Sequence, residues 1–397
     1  MSGEALQRLA EAMRRQSPWP GFSPGDWPVV LLTAGGAFCH GHPDPGPGEP
    51  AGPGTVRLAE TPPLLGATFR GVPTTWVREG ADLDARLWEG AFRLHLRHRL
   101  GLEPPVGMPD PDPSPVAAAM AELEELVRAE AMAAGPDRLA RALRTLCLVR
   151  RERRGPLADE EIAWEDGAEV WDGLPAYVAG SAPGNRPARA GAAGAHLLDQ
   201  LDPGWQAAWE ARPVPLTQLL ERHVRFDGGE GDEALLLGAQ GRHGYPRLLA
   251  AARDRIGAAR RAREALVDQI LTGEGTLLVV DTSALGEGFV EAAQAGQPVN
   301  AGMSVYAGDV AFRFRGAEVF FRDVPVAQDR RAGLLQARIR GRLRMSGDGE
   351  PLAGEAAFTE RLEMELPGVT VRARAGSVQP LDGGLYVKLQ PEGLGAG

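Results

Sequence analysis

The feature that most limits what this 397-residue chain can fold into is a change of hydrophobic period at Gly273–Gly275. Before it, apolar residues return every three or four positions, as they must to line one face of a helix. After it they alternate, as they must to line one face of a strand. The chain therefore reads as α+β: a mainly helical domain over 1–271 that carries a small N-terminal sheet, followed by a mainly antiparallel β domain over 276–390. With 43% hydrophobic residues, both parts can build a core without disulfide staples.

Within the first domain, residues 4–16 form an amphipathic helix that Pro18, Pro20 and Pro24 stop. Val29-Val30-Leu31-Leu32 has strand length, with Ala37-Phe38-Cys39 as its hairpin return, and 64–77 supplies another strand. Gly41 to Gly54 is mostly Gly and Pro and reads as an exposed loop. Leu83, Leu87, Ala91, Leu94 and His98 mark a helix over 82–100. Further helices follow at 116–134, 137–154, 159–177, 192–201, 205–211, 215–223 and 245–271, with a loop over 180–191. The strands of the second domain are 277–280, 310–314, 319–321, 334–345, 356–366 and 369–375, with turns at Arg315-Gly316 and Ser346 to Gly349.

The 53 Asp+Glu against 43 Lys+Arg leave a net charge of −10, the wrong sign for a general nucleic-acid binder. Lys is almost absent, so Arg carries the positive charge; with abundant Gly, Pro and Ala this is the composition expected of a GC-rich bacterial genome. No apolar run reaches the ~18 residues of a membrane span, and the N-terminus lacks a signal-peptide core. Two cysteines, Cys39 and Cys147, do not make a secreted disulfide framework, and a reducing cytoplasm is the expected compartment.

Two segments could carry chemistry. In Trp88-Glu89-Gly90-Ala91-Phe92 on the helix 82–100, positions 88 and 92 share a face, which is where a His-Glu-x-x-His segment aims two imidazoles at one zinc. Trp and Phe cannot ligate, which leaves Glu89. In Trp164 to Tyr177, Glu165, Glu169 and Asp172 share one helical stripe while Asp166 points away, an arrangement that suits either metal ligation or a solvated face. His95 and His98, three apart, are an alternative imidazole pair, though flanked by Arg93, Arg97 and Arg99. His40 and His42 suit a turn better than a metal. In the β domain Arg338, Arg340, Arg342 and Arg344 alternate on one strand face, with Glu363, Glu365 and Glu355 as cross-strand partners.

Taken in order, Trp19-Pro20-Gly21-Phe22, Val29 to Leu32, Gly41-His42-Pro43, the two segments above, Leu148 to Arg154, Leu197 to Trp205 and Leu277 to Asp281 resemble bacterial zincin-like proteins of the gluzincin type, related to the M1-like peptidase superfamily. The resemblance covers most of the chain in short pieces. In those proteins a strand pair precedes a His-Glu-Ala-Phe-His helix, and a later Glu-Gly-Leu-Ala-x-Tyr helix supplies a third zinc ligand. Carried over, the two histidine positions are Trp88 and Phe92, the general base is Glu89, and the third ligand is Asp172 in Trp171-Asp172-Gly173-Leu174-Pro175-Ala176-Tyr177. Two aromatics and a shortened carboxylate remove the zinc site.

The resemblance thus implies a catalytically degenerate, zinc-free protein that binds or scaffolds. It also implies an aromatic-lined pocket formed by Trp88, Glu89, Phe92, Glu169, Trp171, Asp172 and Tyr177, open to a small, flat apolar ligand or an unknown protein. Two alternatives stand beside it: a metal-dependent hydrolase with non-standard ligands, where zinc would be the cofactor, and an assembly component that docks a protein through the β domain. Neither nucleic acid nor membrane is an expected partner.

Overall fold

Pro28 and Gly35-Gly36 bracket a run of β-branched and aliphatic residues, and in the computed structural model that run is strand β1, Val29–Thr33. The structure describes residues 2–59, 68–105, 113–182, 184–286, 288–292, 296–299, 302–340, 344–347, 350–351, 356–358, 361–366 and 368–391. Strand β1 pairs antiparallel with β2, Gly36–His40, through a tight turn. Next come β3, Gly48–Gly52, and β4, Thr55–Leu58. A two-residue ribbon follows, β5 (Thr68–Phe69) with β6 (Val72–Pro73), and then β7, Thr75–Arg78. Among the described residues the N-terminal sheet has five strands in the order β3-β4-β2-β1-β7, and only β7 runs parallel to its neighbour. The segment read as a loop over 41–54 thus contains a strand. It is an edge strand, exposed throughout and interrupted between Pro50 and Gly52, which is where a sheet tolerates such residues. Residues 64–67 lie outside the described residues.

Helix α1, Ser2–Arg14, and helix α2, Leu83–His98, cover this sheet, burying Leu9, Ala12, Leu83 and Leu87 against Val29, Leu31, Phe38 and Val77. The chain then becomes helical: α3 is Pro115–Met132, α4 Pro136–Arg154 and α5 Asp159–Ala168. Ser114 starts α3 by accepting the Ala117 N–H at 3.1 Å, with Pro115 in the first turn. After α5 the helix widens into a π-helical turn, Glu169–Gly173, before α6, Leu174–Ala179, ends at Gly180 with φ +65°. Helices α7 (Arg186–Leu201), α8 (Trp205–Ala211), α9 (Leu216–Arg222), α10 (Glu230–Arg242) and α11 (Tyr245–Thr272) complete the series. Asn185 caps α7, which begins inside the segment read as a loop over 180–191. Helix α10 has no counterpart in the sequence reading, because Ala239 is its one buried residue and its apolar face is correspondingly weak.

The chain divides into two compact units, Met1–Pro109 with Ser114–Ala250, and Ala251–Gly397. The break falls inside α11 rather than at Gly273–Gly275, where the helix merely ends. Tyr245 and Leu248 pack on the helical core, whereas Leu266, Val267 and Ile270 pack on Val305 and Ala327 of the β unit. The guanidinium of Arg338 holds the end of this helix by donating to the carbonyls of Ile270, Leu271 and Gly275 at 3.2, 2.5 and 2.9 Å.

Among the described residues the β unit has an eight-stranded and a seven-stranded sheet, mainly antiparallel as expected. Its first strand, β8 at Thr276–Asp281, lies between Leu334–Ile339, antiparallel to it, and Gly384–Gln390, parallel to it. Residues 334–345, read as one strand, are two: Leu334–Ile339 is in the larger sheet and Arg344–Gly347 in the smaller. The arginine ladder is divided with them. Arg338 caps α11, Arg340 lies 3.8 Å from Glu274, Arg344 stands opposite Glu365, and Arg342 and Glu355 lie outside the described residues. Residues 356–366 split in the same way, into Ala356–Phe358 of the larger sheet and Leu362–Leu366 of the smaller.

Candidate functional site

Helix α2 turns positions 88 and 92 inward and position 89 outward. Trp88 and Phe92 are both 0% exposed. The Trp88 indole N–H donates to the Ala12 carbonyl at 3.1 Å, and the Phe92 ring meets Trp19 and Phe22 edge-on at 5.0 and 4.9 Å. Burying a ring of this size contributes about 2–3 kcal/mol, so the two aromatics are core rather than pocket wall.

Glu89 lies at the surface end of the helix pair. It accepts the Ser181 hydroxyl at 2.6 Å and faces Arg93, one turn further along α2, at 3.8 Å. The same guanidinium reaches Asp172 of the π-helical turn at 3.4 Å. Helices α2 and α6 therefore face one another, and Glu89 and Asp172 are brought together with the Arg93 cation between them.

The other residues expected in one pocket have separate settings. Glu169 is 3% exposed and points into the helical core, where Arg150 donates to both of its oxygens at 2.8 and 3.1 Å. The Tyr177 phenol donates to Asp199 at 2.9 Å, beside Trp205 and Gln206, and burial together with that carboxylate pushes it up to about 12. Trp171 is half-buried in a cleft with Trp209 and Val214. His95, expected at the surface, is buried; its ring bonds to Glu210 at 2.9 Å, an oxygen that also accepts the Trp19 indole N–H. His98 is exposed against Trp27. His42 has a turn role, with its ring on the Phe69 carbonyl and the Asp44 N–H.

Arginines take up the acidic stripe. Arg153 grips Glu165 with two bonds of 2.7 Å, Arg154 pairs with Asp166 at 2.8 Å, and Arg186 joins Glu165 at 2.8 Å. At the centre Glu124, 1% exposed, receives Arg128, Arg150 and Arg153. Burial alone would raise the Glu124 carboxyl, but these arginines more than offset it and hold the group well below the usual range. For Glu169 burial wins and the carboxyl is raised.

The π-helical turn explains how neighbours part company. One extra residue per turn sends Glu169 inward to Arg150 while Asp172 faces Arg93. The turn fits against α7 because Gly173 and Gly191 meet without side chains; a Cβ on Gly191 would lie 2.0 Å from the Glu169 carbonyl oxygen. Sequence signals for the network existed in Glu124 with Arg128 and Glu89 with Arg93, each one helical turn apart, and in Arg150, Arg153 and Arg154 on one helix. Which acid meets which arginine depended on helix packing.

Among the described residues no three His, Cys, Asp or Glu side chains are grouped to hold a metal ion. Cys39 and Cys147 are free and buried. No helix among the described residues is long and apolar enough to cross a membrane. No family model matches the chain, and no curated protein and no solved structure matches it either.

Proposed function

We propose that the helical unit is a zinc-free, non-hydrolytic relative of the zincin-like proteins, acting in the cytoplasm as a binding or scaffold protein. The observation that carries this reading is the Arg93 guanidinium, which pairs with Glu89 at 3.8 Å and Asp172 at 3.4 Å. Zinc requires three or four nitrogen, oxygen or sulfur donors around it. The donors here are two carboxylates that already share a resident cation, and the imidazole positions are core aromatics. These residues do not fit zinc. A hydrolytic Glu89 would also need a metal-bound water to activate, and its oxygen is instead occupied by the Ser181 hydroxyl.

The test is elemental analysis after dialysis against micromolar zinc, run on the wild-type chain, Arg93→Ala, and Trp88→His with Phe92→His. The wild type and Arg93→Ala are expected to hold no stoichiometric zinc. The double substitution is expected to lose about 3–5 kcal/mol of stability, because imidazole leaves both apolar volume and polar atoms unsatisfied. One tightly held zinc per wild-type chain, or peptide hydrolysis abolished by a chelator, would overturn the proposal.

A further inference from the structure

We infer that the middle of α11, residues 253–262, is a hinge that opens and recloses about Gly257 in the folded protein while both ends of the helix stay packed. The inference goes beyond the binding reading and uses none of its residues.

Helix α11 runs for 28 residues, about twice the usual length, and joins the two compact units. Its apolar anchors lie near its ends. Tyr245 and Leu248 pack on the helical core, and Leu266, Val267 and Ile270 pack with Val305 and Ala327 of the β unit. Between them none of residues 253–262 is buried, and eight of the ten are exposed. Ile256 is the one large apolar side chain in that stretch; it is half-buried and belongs to none of the hydrophobic clusters of the described residues. Most helical stability in proteins comes from an apolar face packed on a core, and ten residues without one are too few to hold a helix in water.

Gly257 stands at the centre of this stretch. A glycine in a helix interior has more backbone freedom to lose than alanine, which favours opening about five-fold. At Gly173 and Gly191 close packing forces that cost, because an added Cβ would meet backbone at 2.5 and 2.0 Å. Gly257 is different. Its φ lies outside the left-handed region, and the nearest atom to a Cβ there would be Arg261 Nη1 at 3.3 Å, the tip of an exposed side chain. Neither space nor backbone conformation requires glycine, so what it supplies at 257 is a weakened turn. The Arg260–Glu264 pair beside it, at 2.9 Å, joins two exposed side chains and adds little. Opening at this point breaks no contact of either hydrophobic core.

Hydrogen exchange of the full chain, followed by mass spectrometry and expressed as protection factors, tests this. Amides of 255–262 should be at least about ten-fold less protected than those of 267–270. Gly257→Ala should raise their protection about five-fold and leave α4 and β8 unchanged. Ala259→Gly, also at an exposed position, should lower it by about the same factor. Uniform protection along the whole of α11 in the wild type would overturn the inference. So would middle amides untouched by Gly257→Ala. So, too, would an equal slowing of α4 and β8 in that variant, because the stretch would then exchange only when the whole protein unfolds. Zinc uptake by the wild type would overturn the preceding proposal without altering these protection factors.

Discussion

Among the described residues, buried charge forms a connected network in the helical unit, whereas the second unit buries Arg263 and Asp281 outside its apolar core cluster. In the helical unit Glu124, Arg128, Arg150, Arg153 and Glu169 are all buried and joined by hydrogen bonds, with Arg154, also buried, bonded to Glu165 beside them. In the β unit the cluster around Phe312, Phe321, Met364 and Val371 is apolar, and the buried Asp281 accepts the Tyr386 hydroxyl. An ionic interior is specific, because only one helix register satisfies every partner. It is also brittle, because removing one member strands the rest in a low-dielectric site. A hydrocarbon interior degrades by degrees. All eight tryptophans fall between positions 19 and 209, so tryptophan fluorescence reports the helical unit alone and the comparison can be read in the intact chain.

The largest expected effect follows from Glu124→Gln. It leaves Arg128, Arg150 and Arg153 facing a neutral amide, and about 3–5 kcal/mol should be lost from the denaturant transition seen by tryptophan. A loss below 1 kcal/mol would break the comparison.

Acid is a milder form of the same lesion. Glu124 and Glu165 both have folded values lowered by their arginines, so the stability they contribute is complete above an unfolded carboxyl value of about 4.3 and is lost as pH falls through the lower folded values. Glu169, raised by burial, works in the opposite sense and blunts the loss. The tryptophan transition should therefore weaken below pH ~4.3 more steeply than the β signal in circular dichroism.

Arg338→Ala should cost the β unit about 1–3 kcal/mol by releasing three carbonyls around the end of α11, with the tryptophan transition unmoved. Phe312→Leu, a near-conservative change in the hydrocarbon core, should cost about 1 kcal/mol. Smallest of all is Tyr386→Phe, about 1 kcal/mol or less, for the loss of one bond to Asp281. That bond raises Tyr386 to about 12, so its contribution holds below an unfolded value of about 10 and fades as pH rises toward 12.

What the sequence made legible follows the same division. Helix α2 could be read because Leu83, Leu87 and Ala91 all face the core at a helical period, and the strand Val310–Phe314 because a two-residue turn at Arg315-Gly316 returns it. Periodicity does not say which sheet a strand joins, so the division of 334–345 between two sheets was invisible. The candidate site was legible in one respect, the approach of the Glu89 helix to the Asp172 helix. The occupant between them was not, because Arg93 looked like one of several surface arginines beside Arg97 and Arg99 until α6 brought Asp172 to it. Nor could spacing show the π-helical turn, which depends on Gly191 lying against Gly173 across the helix pair.

Strand β8 has one further consequence, for the order of assembly during synthesis. It emerges from the ribosome at the start of the β unit, yet one of its two neighbours, Gly384–Gln390, is made more than a hundred residues later. Until then one flank of Thr276–Asp281 lies open, with Leu278 and Val280 on a bare edge that another nascent chain could pair with. Premature termination before 384 would make that exposure permanent. A strand made late thus covers a flank in the middle of the larger sheet, so a product shortened before 384 is an aggregation hazard.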